Sequence, residues 1–552
     1  MKNILTMKLY KSIFVIASLM LFTIQCTVID DSHLEDPNRL VPSDVDPDYL
    51  LNNIQLEARY IFRDAASIGA EMTRMTYMFG STYENAFSPG DQPITRMYQN
   101  AYADLFADVQ NLMPIVNEKG FLYHKAIANT LKANALLTLV DVFGDMPYSE
   151  ANDATNFNPK LDGGATIYDS AIVLLDAAIA DFAKAVEDGA PTPANDFFYD
   201  GDESLWTRAA NTMKLKAYLN TGNTTGVNAL IAGAADNLIV DSSQDFVFTY
   251  STTDVNPDSR HPDYADNYID ATGASDYMSL GFMNMMRTDK DVVDPRIRYY
   301  FYRQTTEDTD DFNENSCILA FAPAHFDADD PFCLIGDGYW GRDHLIDDGI
   351  PPDGDLRTTY GAYPVGGLFD NNSGSTADRG DGDGGAGIDP ILMSAYTHFM
   401  IAEAQLTMNN DAGAAKTFLE SALDESFGTV TGFTAQDNGT PFEPSQDQID
   451  AYKTEALADF DAAGLRTIMK EYYFALWGNG YEAWNAMRRT GFPDRSDNLQ
   501  PARTASPGNW YRSVLYPSNM VERNSNIDQK AAADVLNGPF WDTNSGDTKF
   551  NF

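Results

Sequence analysis

The stretch RTIMKEYYFALWGNGYEAWNAMRRTGFP, residues 466–493, decides the fold. It carries Trp477 and Trp484, two of the six tryptophans of the chain, inside a run of large apolar residues at helical spacing. Ile468, Tyr472 and Ala475 share one helical face and Leu476 adjoins it, while Gly478-Asn479-Gly480 supplies a break. A second helix then restarts at Tyr481, places Tyr481, Trp484 and Arg488 at i, i+3 and i+7, and ends at Gly491 and Pro493. The expectation is a helical hairpin with a Glu482 to Arg489 network packed on aromatic rings, a structural arrangement with no catalytic signature.

The string NGYEAWNAMRRTGFP, residues 479–493, resembles the C-terminal signature of the SusD/RagB superfamily, in particular the SusD-like outer-membrane lipoproteins of Bacteroidetes. Further strings resemble that family in the expected order: EDPN at 35–38, DVFGDMPYSEA at 141–151, FFYDGDESLWTRAANTMKLKAYL at 197–219, VVDPRIRYYF at 292–301, GRDHLIDDG at 341–349, YPVGGLFD at 363–370 and VLYPSNMVERN at 514–524. Their order along nearly the whole chain is more specific than any single one. The resemblance implies a mainly α fold, in which tetratricopeptide-like helical hairpins form a scaffold beside a loop-rich, irregular portion. It also implies a cell-surface nutrient-binding lipoprotein that captures an oligosaccharide or polysaccharide and delivers it to a SusC-like TonB-dependent transporter.

Bulk properties agree with an exported globular protein. The 552 residues can build a large core, and a 44% hydrophobic and 12% aromatic content excludes disorder. The formal charge of −44 repels nucleic acid and anionic membrane surfaces, and it also suits simple solubility. Lys2, Lys8 and Lys11 precede an apolar run at 13–24 that is too short to span a bilayer, so residues 1–25 read as a signal peptide. No later stretch reads as long and apolar enough to span.

Cys26 is the expected lipidation site. Gln25 is bulkier than the small residue usual before a lipidated cysteine, whereas Asp30 and Asp31 are similar to the acidic surface-sorting signal of Bacteroidetes lipoproteins. Residues 26–47 read as a lipid-anchored tether and residues 48–552 as a single SusD-like domain. The helical scaffold is expected mainly over 48–240 and 390–493, with helices at 49–62, 94–116, 121–142, 167–186, 204–219, 394–408 and 412–423. Residues 241–389, rich in Gly, Asp, Pro and Tyr, form the loop-rich portion. Within it, Cys317 and Cys333 either form a disulfide, stabilising by ~3 kcal/mol through loop closure, or remain two buried thiols.

Motifs for chemistry are absent or contradicted by their setting. No HExxH or GxSxG occurs, and the six histidines lack metal-ligand spacing. GDGGAG at 382–387 matches GxGxxG literally but follows an acidic loop in place of a strand. Asp378, Asp381, Asp383 and Asp389 could offer oxygens to Ca²⁺, yet Arg379 and Pro390 break the EF-hand register, and a solvated loop is the better reading. No cofactor, metal or enzymatic activity is expected. For a glycan ligand the resemblance places binding on loops from both halves, which makes Tyr77, Tyr83, Tyr339, Trp340 and Arg342 the candidates. A surface polysaccharide hydrolase and a scaffold without a soluble ligand are the alternatives.

Overall fold

The helices of eight residues or more are numbered in chain order below, in a computed structural model that describes residues 45–552 except 154, 271, 435 and 437–441. The expected signal peptide, Cys26 and nearly all of the expected tether lie outside the described residues. The axis of the molecule is α1 (Pro47–Met72), which buries Leu51, Ile54, Ala58, Ile61, Ala65, Ile68 and Met72 along one stripe. It runs ten residues beyond the apolar pattern at 49–62, because Arg63, Asp64 and Ser67 are polar residues that continue the helix with their side chains toward a cleft.

The expected helix at 94–116 is broken into α2 (Gln92–Gln99), a π-helical segment (Asn100–Leu105) and α3 (Phe106–Lys119). The extra residue of a π turn shifts the face without interrupting the apolar spacing, so periodicity alone does not reveal it. Next, α4 (Leu122–Phe143) is buried nearly all round, with Ala126, Ala133 and Ala135 allowing close neighbours. Among the described residues it is the one helix long and apolar enough to cross a membrane, contrary to the expectation that none would be, but 89% of that window is buried inside the protein.

Two short strands, β1 (Met146–Pro147) and β2 (Leu161–Asp162), pair after it. They lead to α5 (Gly164–Asp188), α6 (Glu203–Asn220) and α7 (Thr224–Ile231). Asp202 starts α6 by accepting from the backbone N–H groups of Ser204 and Leu205 at 2.9 and 3.1 Å. Successive helices pack as antiparallel-type hairpins, with α4 on α5 the most extensive pair.

The loop-rich portion is bracketed by an antiparallel pair, β3 (Phe246–Thr249) with β8 (Ile388–Leu392). Inside it lie β4 (Met278–Ser279), α8 (Leu280–Thr288), β5 (Phe301–Arg303), β6 (Gly341–Arg342) and β7 (Thr358–Tyr360). β4 pairs in parallel with β6 and β5 antiparallel with β7. These two- to five-residue strands were not legible among the glycines and aspartates. Cys317 and Cys333 are disulfide-bonded, closing the open alternative.

The scaffold resumes with α9 (Ser394–Thr407), α10 (Ala412–Thr431), α11 (Gln446–Ala463), α12 (Leu465–Ala475) and α13 (Gly480–Thr490). The fold is mainly α, helical hairpins beside an irregular portion, and Pro47–Phe552 form one compact unit. α12 and α13 flank the Gly478-Asn479 break, where Asn479 caps α13 by accepting from Glu482 N–H at 3.1 Å and donates to the carbonyls of Pro390 and Ile391.

α13 crosses α1 in near backbone contact: a Cβ on Gly480 would lie 2.0 Å from the nitrogen of Ala70, and one on Gly69 would lie 2.2 Å from the carbonyl oxygen of Gly480. Arg488 is fully buried, stacks 3.9 Å over Trp484 and donates to the carbonyls of Asp141 and Arg512, both at 2.6 Å. Burial pulls its guanidinium down to about 10, still a cation at neutral pH. The expected Glu482 to Arg489 network is mostly other pairs. Arg489 forms a two-pronged contact with Glu403 at 2.7 and 2.7 Å, because its planar fork fits one carboxylate, and Glu482 pairs with Lys216 at 3.0 Å. Arg489 and Glu482 approach only to 3.8 Å.

Asp141 joins these elements. Its buried carboxylate accepts from Tyr481 at 2.6 Å, Trp541 Nε1 at 2.8 Å and Asn485 at 3.0 Å, and from the hydroxyl of Tyr168.

Candidate functional site

Tyr60, Arg63, Asp64, Ser67 and Ala70 succeed one another at helical spacing along the polar side of α1, and they form one wall of a cleft of about 390 Å³. The opposite wall comes from the loop-rich portion: Pro262, Asp263 and Asp266 of a short helix, Tyr360 at the end of β7 and Asp389 in β8. Trp477 and Gly478, from the stretch that decides the fold, also line it, so the α12–α13 break positions part of the cleft.

Arg63 is the electrostatic centre. Its guanidinium donates to Asp263 at 2.7 Å and Asp389 at 3.0 Å, and its Nη1 lies 3.2 Å from His261 Nε2. Tyr250 donates to the second oxygen of Asp389 at 2.7 Å, and Arg59 donates to the Tyr250 hydroxyl at 3.0 Å. Burial disfavours an ionised Asp389, but Arg63, His261 and Tyr250 outweigh it and hold the carboxyl below the usual carboxylate range. Beside this network Arg96 grips both oxygens of Asp64, and burial nevertheless pushes Asp64 up to about 6.

The Trp477 indole, 2% exposed, packs beneath the cleft, and its buried N–H makes no hydrogen bond among the described residues. Tyr60, 40% exposed, presents a ring at the rim with Arg59 3.7 Å over its centre. An arrangement of acceptors, cationic donors and an aromatic edge suits a polyhydroxylated ligand, whose hydroxyls both donate and accept.

Next to Ala70 of the cleft wall in sequence, Glu71 is pushed up to about 8 by burial, with repulsion from Asp276 and Asp91 adding to it. A carboxyl whose pKa is higher folded than unfolded contributes stability that is complete below about 4.5 and is lost as pH rises through about 8. Urea unfolding at about pH 5 and about pH 8 should therefore show the wild type losing ~2 kcal/mol more than Glu71→Gln over that interval. Parallel losses in the two proteins would contradict a neutral Glu71.

The residues expected from sequence occupy a different wall. Tyr77 is half-buried and donates to the carbonyl of Ile346 at 2.8 Å, and Arg342 lies 5.4 Å over its ring and 4.9 Å over that of Tyr277. Arg342 spends its donors on the carbonyls of Gly349 at 2.6 Å and Asp348 at 3.1 Å. Trp340, 2% exposed, donates to Asp353 at 3.1 Å and joins Arg342 around a void of only about 20 Å³. Tyr83 is fully buried, accepting from Arg74 at 3.0 Å with His344 Nε2 at 3.1 Å, and Tyr339 carries Arg303 and Arg287 over its ring at 4.7 and 4.9 Å. Tyr83, Tyr339 and Trp340 thus show no open ring face here, because each is packed as a loop anchor. Tyr77, Trp340 and Arg342 are brought together; Tyr83 and Tyr339 stand apart from them. The loop that carries Tyr77 nevertheless supplies Met75 and Thr76 to the Arg63 cleft.

Sequence reasoning missed Arg63, Asp263 and Trp477 as a set, since Arg63 and Asp389 are 326 positions apart. The available signal was the polar row Tyr60, Arg63, Asp64, Ser67 at helical spacing. Asp389, considered for Ca²⁺, serves Arg63, and among the described residues no group of three or more His, Cys, Asp or Glu side chains is placed to hold a metal ion. Gly382, Gly384 and Gly385 adopt positive φ in the acidic loop, where Asp381 accepts from the backbone of Asp378 at 3.0 Å.

A family model described as "Starch-binding associating with outer membrane" matches residues 37–318, and one described as "Susd and RagB outer membrane lipoprotein" matches residues 389–551. The chain belongs to the SusD/RagB family. No curated protein matches it at a significant level. Solved SusD/RagB structures share the fold. A SusD homologue from Bacteroides fragilis matches with a TM-score of 0.60 and 18% identity over 92% of this chain and 98% of that one. A SusD/RagB family protein from Bacteroides thetaiotaomicron gives 0.60 and 16% over 91% and 100%, and a chitin-binding SusD homologue from Flavobacterium johnsoniae gives 0.56 and 17% over 90% and 97%. In SusD/RagB terms, the Arg63 cleft lies between the helical scaffold and the irregular portion.

Proposed function

We propose that this protein is a cell-surface lipoprotein that captures an oligosaccharide in the Arg63 cleft and passes it, chemically unchanged, to a SusC-like TonB-dependent transporter. The observation that carries the reading is the set Arg63, Asp263 and Asp389 in an open cleft with the exposed Tyr60 ring at its rim. Family membership supports a surface role, and the chitin-binding name of one structural relative supports a glycan as the ligand class. Tyr77, with Arg342 behind it, extends the cleft along the neighbouring loop, whereas Tyr83, Tyr339 and Trp340 hold that loop in place. A glycan array probed with wild type and Arg63→Ala should give wild-type signals that the variant loses. Signals of equal strength would move the site elsewhere.

Residues 1–25 act as the signal peptide, 26–47 as the tether, and Cys26 carries the lipid. Metabolic lipid labelling should mark the wild type and spare Cys26→Ala, and equal labelling of both would refute the anchor. From the labelled membranes, mild detergent should recover a far larger β-barrel protein with the chain. Recovery of the chain alone at every detergent strength, with unchanged uptake in a deletion strain, would remove the transporter from the account.

A further inference from the structure

A second cavity, about 690 Å³ and sharing no lining residue with the Arg63 cleft, opens between α3, α4 and the loop that follows α4. Asn129 and Lys132, at i and i+3 on α4, both line it. Asn129 is 7% exposed as a residue, and its amide opens onto the cavity. An amide that lines a cavity offers both a donor and an acceptor to a guest.

Lys132 is half-buried, 5.7 Å over the Phe106 ring, and has no carboxylate within 4.0 Å among the described residues. An unpaired lysine is notable in a chain with 81 acidic residues and 37 basic ones. Burial lowers its pKa, a penalty that a bound anion would relieve. Acceptors stand opposite. Pro114 interrupts α3 and has no N–H for the carbonyl of Gln110, one turn earlier, and both residues line the cavity. Asp153, exposed at the mouth, keeps its carboxylate ionised through bonds from Thr155 at 2.8 and 2.7 Å.

We propose that this cavity is a second ligand site that takes a carboxylated sugar. The carboxylate accepts from the Lys132 ammonium and the Asn129 amide, and the ring hydroxyls donate to the Gln110 carbonyl and to Asp153. A neutral sugar leaves Lys132 unpaired, and a plain carboxylate leaves the acceptors unused, so the site discriminates in favour of a group that has both. The inference stands on this cavity alone and does not depend on the Arg63 cleft.

Calorimetric titration of the detergent-solubilised full chain with galacturonate, galactose and acetate tests it. Galacturonate should bind saturably with a Kd near or below ~1 mM, at least tenfold tighter than galactose or acetate. Lys132→Met and Asn129→Asp should each weaken galacturonate at least tenfold, the second by setting a like charge against the carboxylate. Lys132→Arg and Arg63→Ala should stay within about threefold of wild type, and matching melting temperatures check that the variants are folded. Absence of galacturonate binding, equal binding of galactose, or loss in Arg63→Ala with no loss in Asn129→Asp would overturn the proposal.

Discussion

Asp141→Ala is expected to lower the unfolding free energy by about 4–6 kcal/mol, enough to leave the chain largely insoluble on expression. The size follows from what the carboxylate serves. Tyr168, Tyr481, Asn485 and Trp541 all donate to it from inside the core, and no water can replace it without a path. A neutral donor left buried and unpaired costs about 1–3 kcal/mol, and four such donors are orphaned together. Asp141→Asn keeps one acceptor oxygen and turns the other into a donor facing donors, so roughly half the loss is expected. Urea denaturation followed by tryptophan fluorescence reads both variants, since Trp541 is itself a partner. A loss under about 1 kcal/mol for Asp141→Ala would show that the network is dispensable.

Gly480→Val has the second largest expected effect, about 3–5 kcal/mol, and its cause is steric. The added carbons meet backbone, 2.0 Å from the Ala70 nitrogen and 2.5 Å from the Ala66 carbonyl, so α1 and α13 must separate. Separation opens gaps around Trp484 and the other buried rings of the stretch, adding lost packing to the strain. Gly428→Ala is the matched control: it lies exposed inside α10 with nothing within 4 Å of its Cβ position, and should stabilise by up to ~1 kcal/mol. Thermal unfolding of the two variants should move in opposite directions. Equal melting temperatures for wild type and Gly480→Val would mean that the helices do not cross this closely.

Much of the scaffold is legible in the sequence because its signals are local. The Gly478-Asn479 break and the apolar spacing of the helices each act within a few positions, and the ordered family strings extend them along the chain. What stayed hidden depends on distant partners. The π turn at Asn100–Leu105 preserves apolar spacing, the short strands of the loop-rich portion take their hydrogen bonds from elsewhere in the chain, and Arg489 chooses Glu403, 86 positions away, over Glu482. The site illustrates the same limit. Aromatic residues in glycine-rich loops looked like platforms, but burial turned Tyr83, Tyr339 and Trp340 into anchors, while the open cleft is built on Arg63 from a helix that read only as scaffold.

The central claim is capture without chemistry in the Arg63 cleft. Its most direct test is calorimetric titration of the full chain with the strongest oligosaccharide from the array, followed by chromatography of the recovered ligand. The account predicts saturable binding with one ligand per chain, at least tenfold weaker in Arg63→Ala, and recovery of the oligosaccharide at its original length. Shortened products, or binding untouched by Arg63→Ala, would contradict it.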